Sequence, residues 1–170
     1  EPQYELDEFL EADLTDGLPL DRSRKFDLVL LADVLDSLPE PERLLHDLKR
    51  HLHAHSRVLV SSPNIVHWSI RLQMAVGRFE YTNKGILERG HLRFFTRKSA
   101  RRLYQENGFV VDSVRTAPVP WENIFPSSGS PRLLTRLLER VDHLLGKLMP
   151  NAFAYQNIFE IHPTKIDPQD

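Results

Sequence analysis

Two short apolar segments on either side of an amphipathic stretch restrict the fold of this chain more than any other feature. Residues 26–32 read FDLVLLA and end at Asp33, and residues 57–61 read RVLVS. A continuous apolar run of this length is typical of a parallel strand that is buried on both faces. Between the two runs, four leucines form one stripe at helical spacing: Leu44, Leu45, Leu48 and Leu52. The pattern predicts a strand–helix–strand unit and an α/β fold with a parallel sheet.

The start of that helix has sequence signals of its own. Ser37 and Glu40 have the spacing of a capping box, and Pro39 and Pro41 suit a first helical turn. We therefore expect the helix to begin just after Ser37, with that serine as its cap.

Further strands and helices alternate along the rest of the chain. Strands are predicted over residues 8–12, 109–114 and 155–161, and helices over residues 68–76, 97–107 and 132–149. Thr96 suits the cap of the second of these helices, and Gly108 suits its C-terminal stop. In the first of them, three apolar side chains are expected to face inward: Ile70, Leu72 and Met74.

The long segment over residues 132–149 has leucines on one side and basic residues on the other. Such a helix could lie on a membrane surface or pack against a partner. Glu139 and Asp142 dilute the basic face, which favours a helix that covers a pocket of the same domain.

Composition excludes several classes of protein. The chain has 170 residues, which suits one domain, and its formal net charge of −2 offers no electrostatic reason to expect nucleic acid as a partner. It has no cysteine, which excludes disulfides and thiolate chemistry and suits the cytoplasm. No apolar run approaches the ~20 residues of a membrane span. The histidines near residue 51 lack a carboxylate cluster, so we expect no metal site.

Four motifs follow one another in a fixed order: residues 33–38 (DVLDSL), 61–64 (SSPN), 77–81 (GRFEY) and 91–96 (HLRFFT). Together they resemble the C-terminal portion of class I S-adenosylmethionine-dependent methyltransferases, in a subgroup with S-x-P-N and H-L-R-F-F-T motifs. Asp36 and Ser37 depart from the glutamate and histidine that are usual there, and residues 53–56 replace the family's Pro-Gly-Gly turn.

The resemblance implies a Rossmann-like methyltransferase sheet that is incomplete. Strands 3–7 of the family would be present, strands 1 and 2 missing, and the last strand antiparallel. Residues 1–162 would form the C-terminal part of the domain, with a helical insertion over about 118–151, and residues 163–170 a flexible tail. The missing strands carry the family's glycine-rich loop, so we expect these 170 residues to bind the cofactor weakly or not at all. The strand over residues 26–32 would expose an apolar edge that invites a homodimer.

The same resemblance indicates cofactor-binding residues. Asp13 and Leu14 match the position where the family contacts the adenine amino group of S-adenosylmethionine. Asp33 follows a strand whose carboxyl end should border the ligand, so it could face the sulfonium or an acceptor hydroxyl. The alternative is that Asp33 only caps the next helix.

His91 and Asp33 are the candidates for a general base. Imidazole titrates near neutral pH, which suits proton transfer, but His91 could instead hold its loop by hydrogen bonds. Four residues are candidates for substrate binding: Asn64, Tyr81, Arg93 and Trp121. Arg93 could alternatively form an ion pair with Glu88 or Asp36, and Trp121 could be a packing anchor.

These expectations lead to one function and two alternatives. The resemblance implies methyl transfer from S-adenosylmethionine to a small-molecule acceptor, a sugar or polysaccharide precursor. The first alternative is a degenerate, non-catalytic domain that serves in assembly, which the departures at Asp36 and Ser37 favour. A nicotinamide-dependent oxidoreductase lacks support, because the chain has no dinucleotide-binding glycine motif.

Overall fold

A computed structural model of the protein describes residues 6–120 and 132–164. Four strands form one sheet: β1 (Phe26–Ala32), β2 (Leu52–Pro63), β3 (Phe109–Ala117) and β4 (Gln156–Pro163). Their spatial order is β1-β2-β4-β3; β1 is parallel to β2, and β4 is antiparallel to both of its neighbours. This mixed sheet confirms the α/β prediction and the antiparallel last strand. The family numbering of the strands stays a prediction.

Helices connect the strands. They are α1 (Pro41–Lys49), α2 (Trp68–Ala75), α3 (Arg97–Glu106), α4 (Arg132–Leu148) and α5 (Pro150–Phe153). β1, α1 and β2 form the predicted strand–helix–strand unit. Thr96 caps α3 as predicted: its hydroxyl accepts a hydrogen bond from the Ser99 amide at 3.0 Å, and the Ser99 hydroxyl accepts one from the Thr96 amide at 2.9 Å. Gly108 follows α3 with a φ of 78°, a conformation that glycine adopts without strain.

The main core lies on one face of the sheet. Val58 and Val60 of β2 and Phe159 and Ile161 of β4 are fully buried there, beneath the apolar sides of α1 and α3. Tyr104 of α3 packs edge-on against the Phe159 ring, with 5.1 Å between the ring centroids. Because α1 and α3 contribute to one cluster with these strands, the two helices hold the sheet from the same side.

The sequence of β1 predicts a strand that is buried on both faces, but one face is exposed. Leu31 joins the core, but Leu28 is 56% exposed and Leu30 is 65% exposed. Side chains alternate between the faces of a strand, and α1 and α3 cover only the face that carries Leu31. Among the described residues β1 pairs with β2 alone, so its outer edge is open as well.

Two predictions for the N-terminal part of the chain are wrong: a strand over residues 8–12 and the start of α1. Residues 8–12 do not form a strand and are exposed, because no neighbouring strand in the described chain offers them a hydrogen-bonded ladder. Helix α1 begins at Pro41 with Glu40 before it, rather than just after Ser37. Pro39 disfavours helical backbone in the residue before it, and Leu38 is accordingly extended. Ser37 therefore lies in a separate short 3₁₀ turn, Leu35–Ser37, and does not cap α1.

Three other expectations also need correction. In α2 only Ile70 faces inward, while Leu72 and Met74 are exposed, because the short helix contacts a small cluster with Ile86 and Leu87 rather than a full layer. β2 begins at Leu52 and so includes residues 53–56, which were predicted to replace a turn. β4 extends to Pro163, which was assigned to the tail; residues 165–170 lie outside the described part of the chain.

Helix α4 packs against the end of β3 by its polar side. The Asp142 carboxylate is buried and accepts a hydrogen bond from the Val119 amide at 2.7 Å, so it does not dilute an exposed basic face. Leu137, Leu144 and Leu148 are exposed. That this helix covers the acceptor pocket stays a prediction. Within the described ranges, no helix is long and apolar enough to cross a membrane.

Candidate functional site

Asp33 occupies a strained position at the carboxyl end of β1. Its φ is 53°, in the left-handed region that few non-glycine residues adopt. The carboxylate Oδ1 accepts a hydrogen bond from the Ser61 hydroxyl at 2.8 Å, and the Asp33 amide donates to the same hydroxyl at 3.1 Å. Such backbone strain persists only where surrounding contacts hold it, and it is concentrated at functional sites. Asp33 is therefore a fixed carboxylate rather than a helix cap.

Gln156 at the start of β4 is the third member of this cluster. Its Nε2 donates to both carboxylate oxygens of Asp33, at 2.5 and 2.7 Å. The sequence did not point to Gln156, because it lies 123 residues from Asp33 and meets it only through the antiparallel return of β4 beside β2. Asp33, Ser61 and Gln156 thus form a polar cluster at the carboxyl edge of the parallel strands, where α/β sheets bind ligands.

Tyr155 borders the same edge and was also missed. Burial raises the pKa of its phenol, and the negative charge of Asp33 raises it further. Gly85 makes room for this side chain, since a Cβ at that position would lie 2.7 Å from the Tyr155 hydroxyl oxygen. The glycine that precedes the His91 loop therefore has a packing reason that a motif match does not reveal.

His91 and Asp36 form a buried pair behind this cluster. The Nδ1 of His91 lies 3.1 Å from the Ile86 carbonyl oxygen, and its Nε2 lies 3.4 Å from a carboxylate oxygen of Asp36. A carbonyl only accepts, so Nδ1 carries the hydrogen of that bond. Both ring nitrogens face protein groups, an arrangement that matches the alternative in which His91 holds its loop. The backbone oxygen of Asp36 also accepts hydrogen bonds from the Leu92 and Arg93 amides, at 2.7 and 2.9 Å.

The environment of Asp36 favours its neutral form. Burial and, second, the charge of Asp33 raise its pKa from 3.8 to about 6, against the opposing effect of His91. Neither carboxylate oxygen has a hydrogen-bond partner among the described residues. A folded-state pKa above the unfolded value means that the folded protein binds the extra proton. This stabilising contribution is complete below about pH 4 and is lost as the pH rises through 6.

The Asp36→Asn variant tests this directly. The free energy of unfolding of the wild type, minus that of the variant, is expected to fall by on the order of 2–3 kcal/mol between pH 4 and pH 7. Urea unfolding at several pH values measures the difference. The control is Asp27→Asn, since the Asp27 side chain is exposed and its carboxylate pairs with His55 at the surface. A difference that does not change with pH would show that Asp36 titrates normally.

Tyr81 and His91 line an open cleft of about 670 Å³ with Glu80, Arg89 and Leu92. Tyr81 is half exposed and packs against the rings of Phe79 and Phe94. Arg93 does not form the predicted ion pair with Glu88 or Asp36. Its guanidinium donates to the Pro39 carbonyl oxygen, because Asp36 already faces His91.

The other predicted site residues lie apart from the cluster or outside the described chain. Asn64 is fully buried, and its Nδ2 donates to the Ala154 carbonyl at 2.8 Å, which ties β2 to the segment that leads into β4. Asp13 is exposed, and its Oδ1 accepts from the amide and hydroxyl of Thr15. Leu14 packs against the main core. Trp121 lies outside the described residues.

Residues 2–114 match the family model of the methyltransferase domain, which is more than half of the chain. The chain belongs to this family. No curated protein matches the sequence. The family match confirms the methyltransferase family that the motifs indicate, while the subgroup with the S-x-P-N and H-L-R-F-F-T motifs stays a prediction.

Solved structures share the fold of this methyltransferase domain. They include an S-adenosylmethionine-dependent methyltransferase from Archaeoglobus fulgidus, with 15% identity over 91% of this chain and 66% of that one and a TM-score of 0.54. A complex of the Haloferax volcanii Trm112 methyltransferase activator with a methyltransferase matches with 14% identity over 95% of this chain and 65% of that one, and a TM-score of 0.55. Magnesium protoporphyrin IX methyltransferase from Synechocystis PCC 6803, with bound SAH, has 18% identity over 91% of this chain and 50% of its own, with a TM-score of 0.50. The chain thus spans about two thirds or less of these proteins.

The methyltransferase family supports S-adenosylmethionine as the cofactor, and the side chains present fit part of it. This molecule presents a cationic sulfonium and several hydrogen-bond donors, in its amino groups and ribose hydroxyls. Carboxylates are the matching acceptors. Asp33 offers a fixed carboxylate at the edge of the sheet, and Asp13 has one carboxylate oxygen, Oδ2, without a hydrogen bond among the described residues.

Proposed function

We propose that the protein transfers a methyl group from S-adenosylmethionine to a hydroxyl of a small-molecule acceptor, a sugar or polysaccharide precursor. The observation that carries this proposal is the strained Asp33 carboxylate, held by Ser61 and Gln156 at the ligand edge of a methyltransferase-family sheet. The acceptor class rests on the motif resemblance of residues 61–64 and 91–96. The family match does not favour the non-catalytic alternative.

Asp33 is the proposed general base. S-adenosylmethionine, when bound, supplies an electrophilic methyl group, so the protein needs only to orient the acceptor and take its proton. The hydrogen bonds from Ser61 and Gln156 hold the Asp33 carboxylate in one orientation while leaving acceptor capacity for a substrate hydroxyl. Asp33 would also face the cofactor, and Asp13 and Leu14 would border its adenine.

His91 is the second candidate for the base, but its contacts support a positioning role instead. With Nδ1 at the Ile86 carbonyl and Nε2 toward Asp36, the imidazole would position the loop that carries Leu92 and Arg93. Tyr81, which lines the same cleft as His91, would then contact the acceptor. Asn64, Arg93 and Trp121 are further proposed contacts to the acceptor, by the motif resemblance alone.

The exposed edge and face of β1 support a proposed homodimer. Leu28 and Leu30 present apolar surface next to a strand edge that is open in the described chain, and such edges pair readily with another strand. Sedimentation equilibrium at micromolar concentration tests this assembly, and a monomer there would contradict it. The cytoplasm is the proposed location, since the sequence has no cysteine to oxidise.

Calorimetric titration of S-adenosylhomocysteine tests the proposed cofactor. The titrations use this 170-residue chain and the longest natural chain that contains it. We expect saturable binding to the longer protein and weaker or no binding to the 170 residues, because the motif resemblance assigns the glycine-rich loop to strands that these residues lack. If neither protein binds, the proposed activity is wrong. Tight binding to the 170 residues would instead overturn the expected division of the cofactor site.

A further inference from the structure

A second cleft lies at the opposite end of the carboxyl edge, where β3 meets α3 and α4. Its volume is about 370 Å³. Eight residues line it: Arg97, Val114, Arg115, Thr116, His143, Gly146, Lys147 and Pro150. None of the residues of the Asp33 cluster or of the Tyr81 cleft belongs to this set, so it is a separate cavity.

The lining of this cleft is strongly basic. Arg97, Arg115 and Lys147 are permanent cations, and no carboxylate of the described residues lines the cavity. Within residues 6–120 and 132–164, none of the three permanent cations forms an ion pair. Other exposed arginines do find partners: Arg102 pairs with Glu106 at 2.7 Å. Cations gathered without a countercharge indicate a binding site for an anion.

The surroundings of Arg97 disfavour its positive charge. Burial lowers the pKa of its guanidinium, and the neighbouring charge of Arg101 lowers it further. Both effects disfavour the cationic form, and the opposite charge of an anion in the cleft would offset them. Arg97 is also the first residue of α3, whose N-terminal end carries the positive pole of the helix dipole.

We propose that this cleft binds a phosphate group. Three permanent cations more than neutralise the two negative charges of a phosphate dianion, and arginine presents donors whose planar geometry matches phosphate oxygens. The Thr116 hydroxyl can add a neutral hydrogen bond, and Gly146, without a side chain, leaves the cavity open beside it.

We infer that the phosphate group belongs to the methyl acceptor, an inference that rests on the proposed function and on the position of the cleft. β1 and β3 are the two outer strands of the four-stranded sheet, so their carboxyl ends lie about 14 Å apart at normal strand spacing. An acceptor with its phosphate in the cleft could reach the Asp33 end of the edge only if it were about that long. This geometry favours a longer acceptor, such as a sugar joined to a diphosphate group, over a sugar monophosphate or a free monosaccharide.

Titration with inorganic phosphate and pyrophosphate tests the site without any cofactor. Backbone amide resonances in an NMR spectrum of the protein report where each anion binds. We expect saturable shifts at Thr116, Gly146 and Lys147, and a dissociation constant that rises about tenfold or more in Arg97→Gln and in Arg115→Gln. The matched control is Arg102→Gln, on the same helix but paired with Glu106, which should bind both anions as the wild type does.

Either outcome is decisive. Absence of saturable shifts, or equal affinity in the three variants, would overturn the phosphate site. Thermal melting of each variant separates a lost contact from a lost fold, and Arg97→Lys should recover part of the affinity if charge is the cause. The S-adenosylhomocysteine titration is independent of these measurements, so a failure of the phosphate site and a failure of the proposed methyl transfer are told apart.

Discussion

The Asp33→Asn variant is expected to lower the rate of methyl transfer by about 10²- to 10⁴-fold, the usual contribution of a positioned general base. Asparagine has almost the same shape and tolerates the left-handed backbone that Asp33 adopts, so the loss should appear without unfolding. The rate is measured with the longest natural chain, at saturating S-adenosylmethionine, on an acceptor found by screening sugars with and without phosphate groups.

The same substitution elsewhere on β1 provides the control for this prediction. Asp27 lies at the start of the strand, and its exposed carboxylate pairs with His55 away from the Asp33 cluster, so Asp27→Asn should leave the rate unchanged. Gln156→Ala, which removes the amide that holds Asp33, should reduce the rate less than Asp33→Asn does. A wild-type rate in Asp33→Asn would exclude Asp33 as the base and return that assignment to His91.

The Phe159→Ala variant should lose about 3–5 kcal/mol of its free energy of unfolding. Phe159 is fully buried on β4 and packs edge-on against Tyr104, so its removal leaves a cavity between the sheet and α3. Such a loss is a large fraction of the stability of a typical domain. Urea unfolding at 25 °C measures the difference in free energy.

The control for this prediction is Leu148→Ala on α4. Leu148 is 70% exposed, so its truncation should change the free energy of unfolding by less than about 0.5 kcal/mol. Equal losses in the two variants would mean that β4 does not form the centre of the core.

Local chemistry in the sequence was enough to predict several elements. The apolar runs and leucine stripe identified β1, α1 and β2, and the hydroxyls of Thr96 and Ser99 form the cap where it was expected. Periodicity cannot show whether a layer covers a strand, so the exposure of Leu28 and Leu30 was missed.

The candidate site was only partly predictable, for a similar reason. Asp33 stood out because it ends a buried run, whereas the hydrogen bonds from Gln156 depend on the register between β2 and β4. The residue type of His91 indicated a base, but not that both ring nitrogens contact protein groups. Spacing along the chain carries no information about such long-range contacts.

The place of β4 in the sheet has a consequence for how the protein is made. β4 is the last of the four strands in sequence, yet it lies between β2 and β3 and pairs with both. A nascent chain on the ribosome therefore has no partner for the inner edge of β2 until residues 156–163 have left the exit tunnel. Until then Val58 and Val60 have no neighbouring strand on that side. During that interval the exposed edge of β2 can pair with a strand of another molecule.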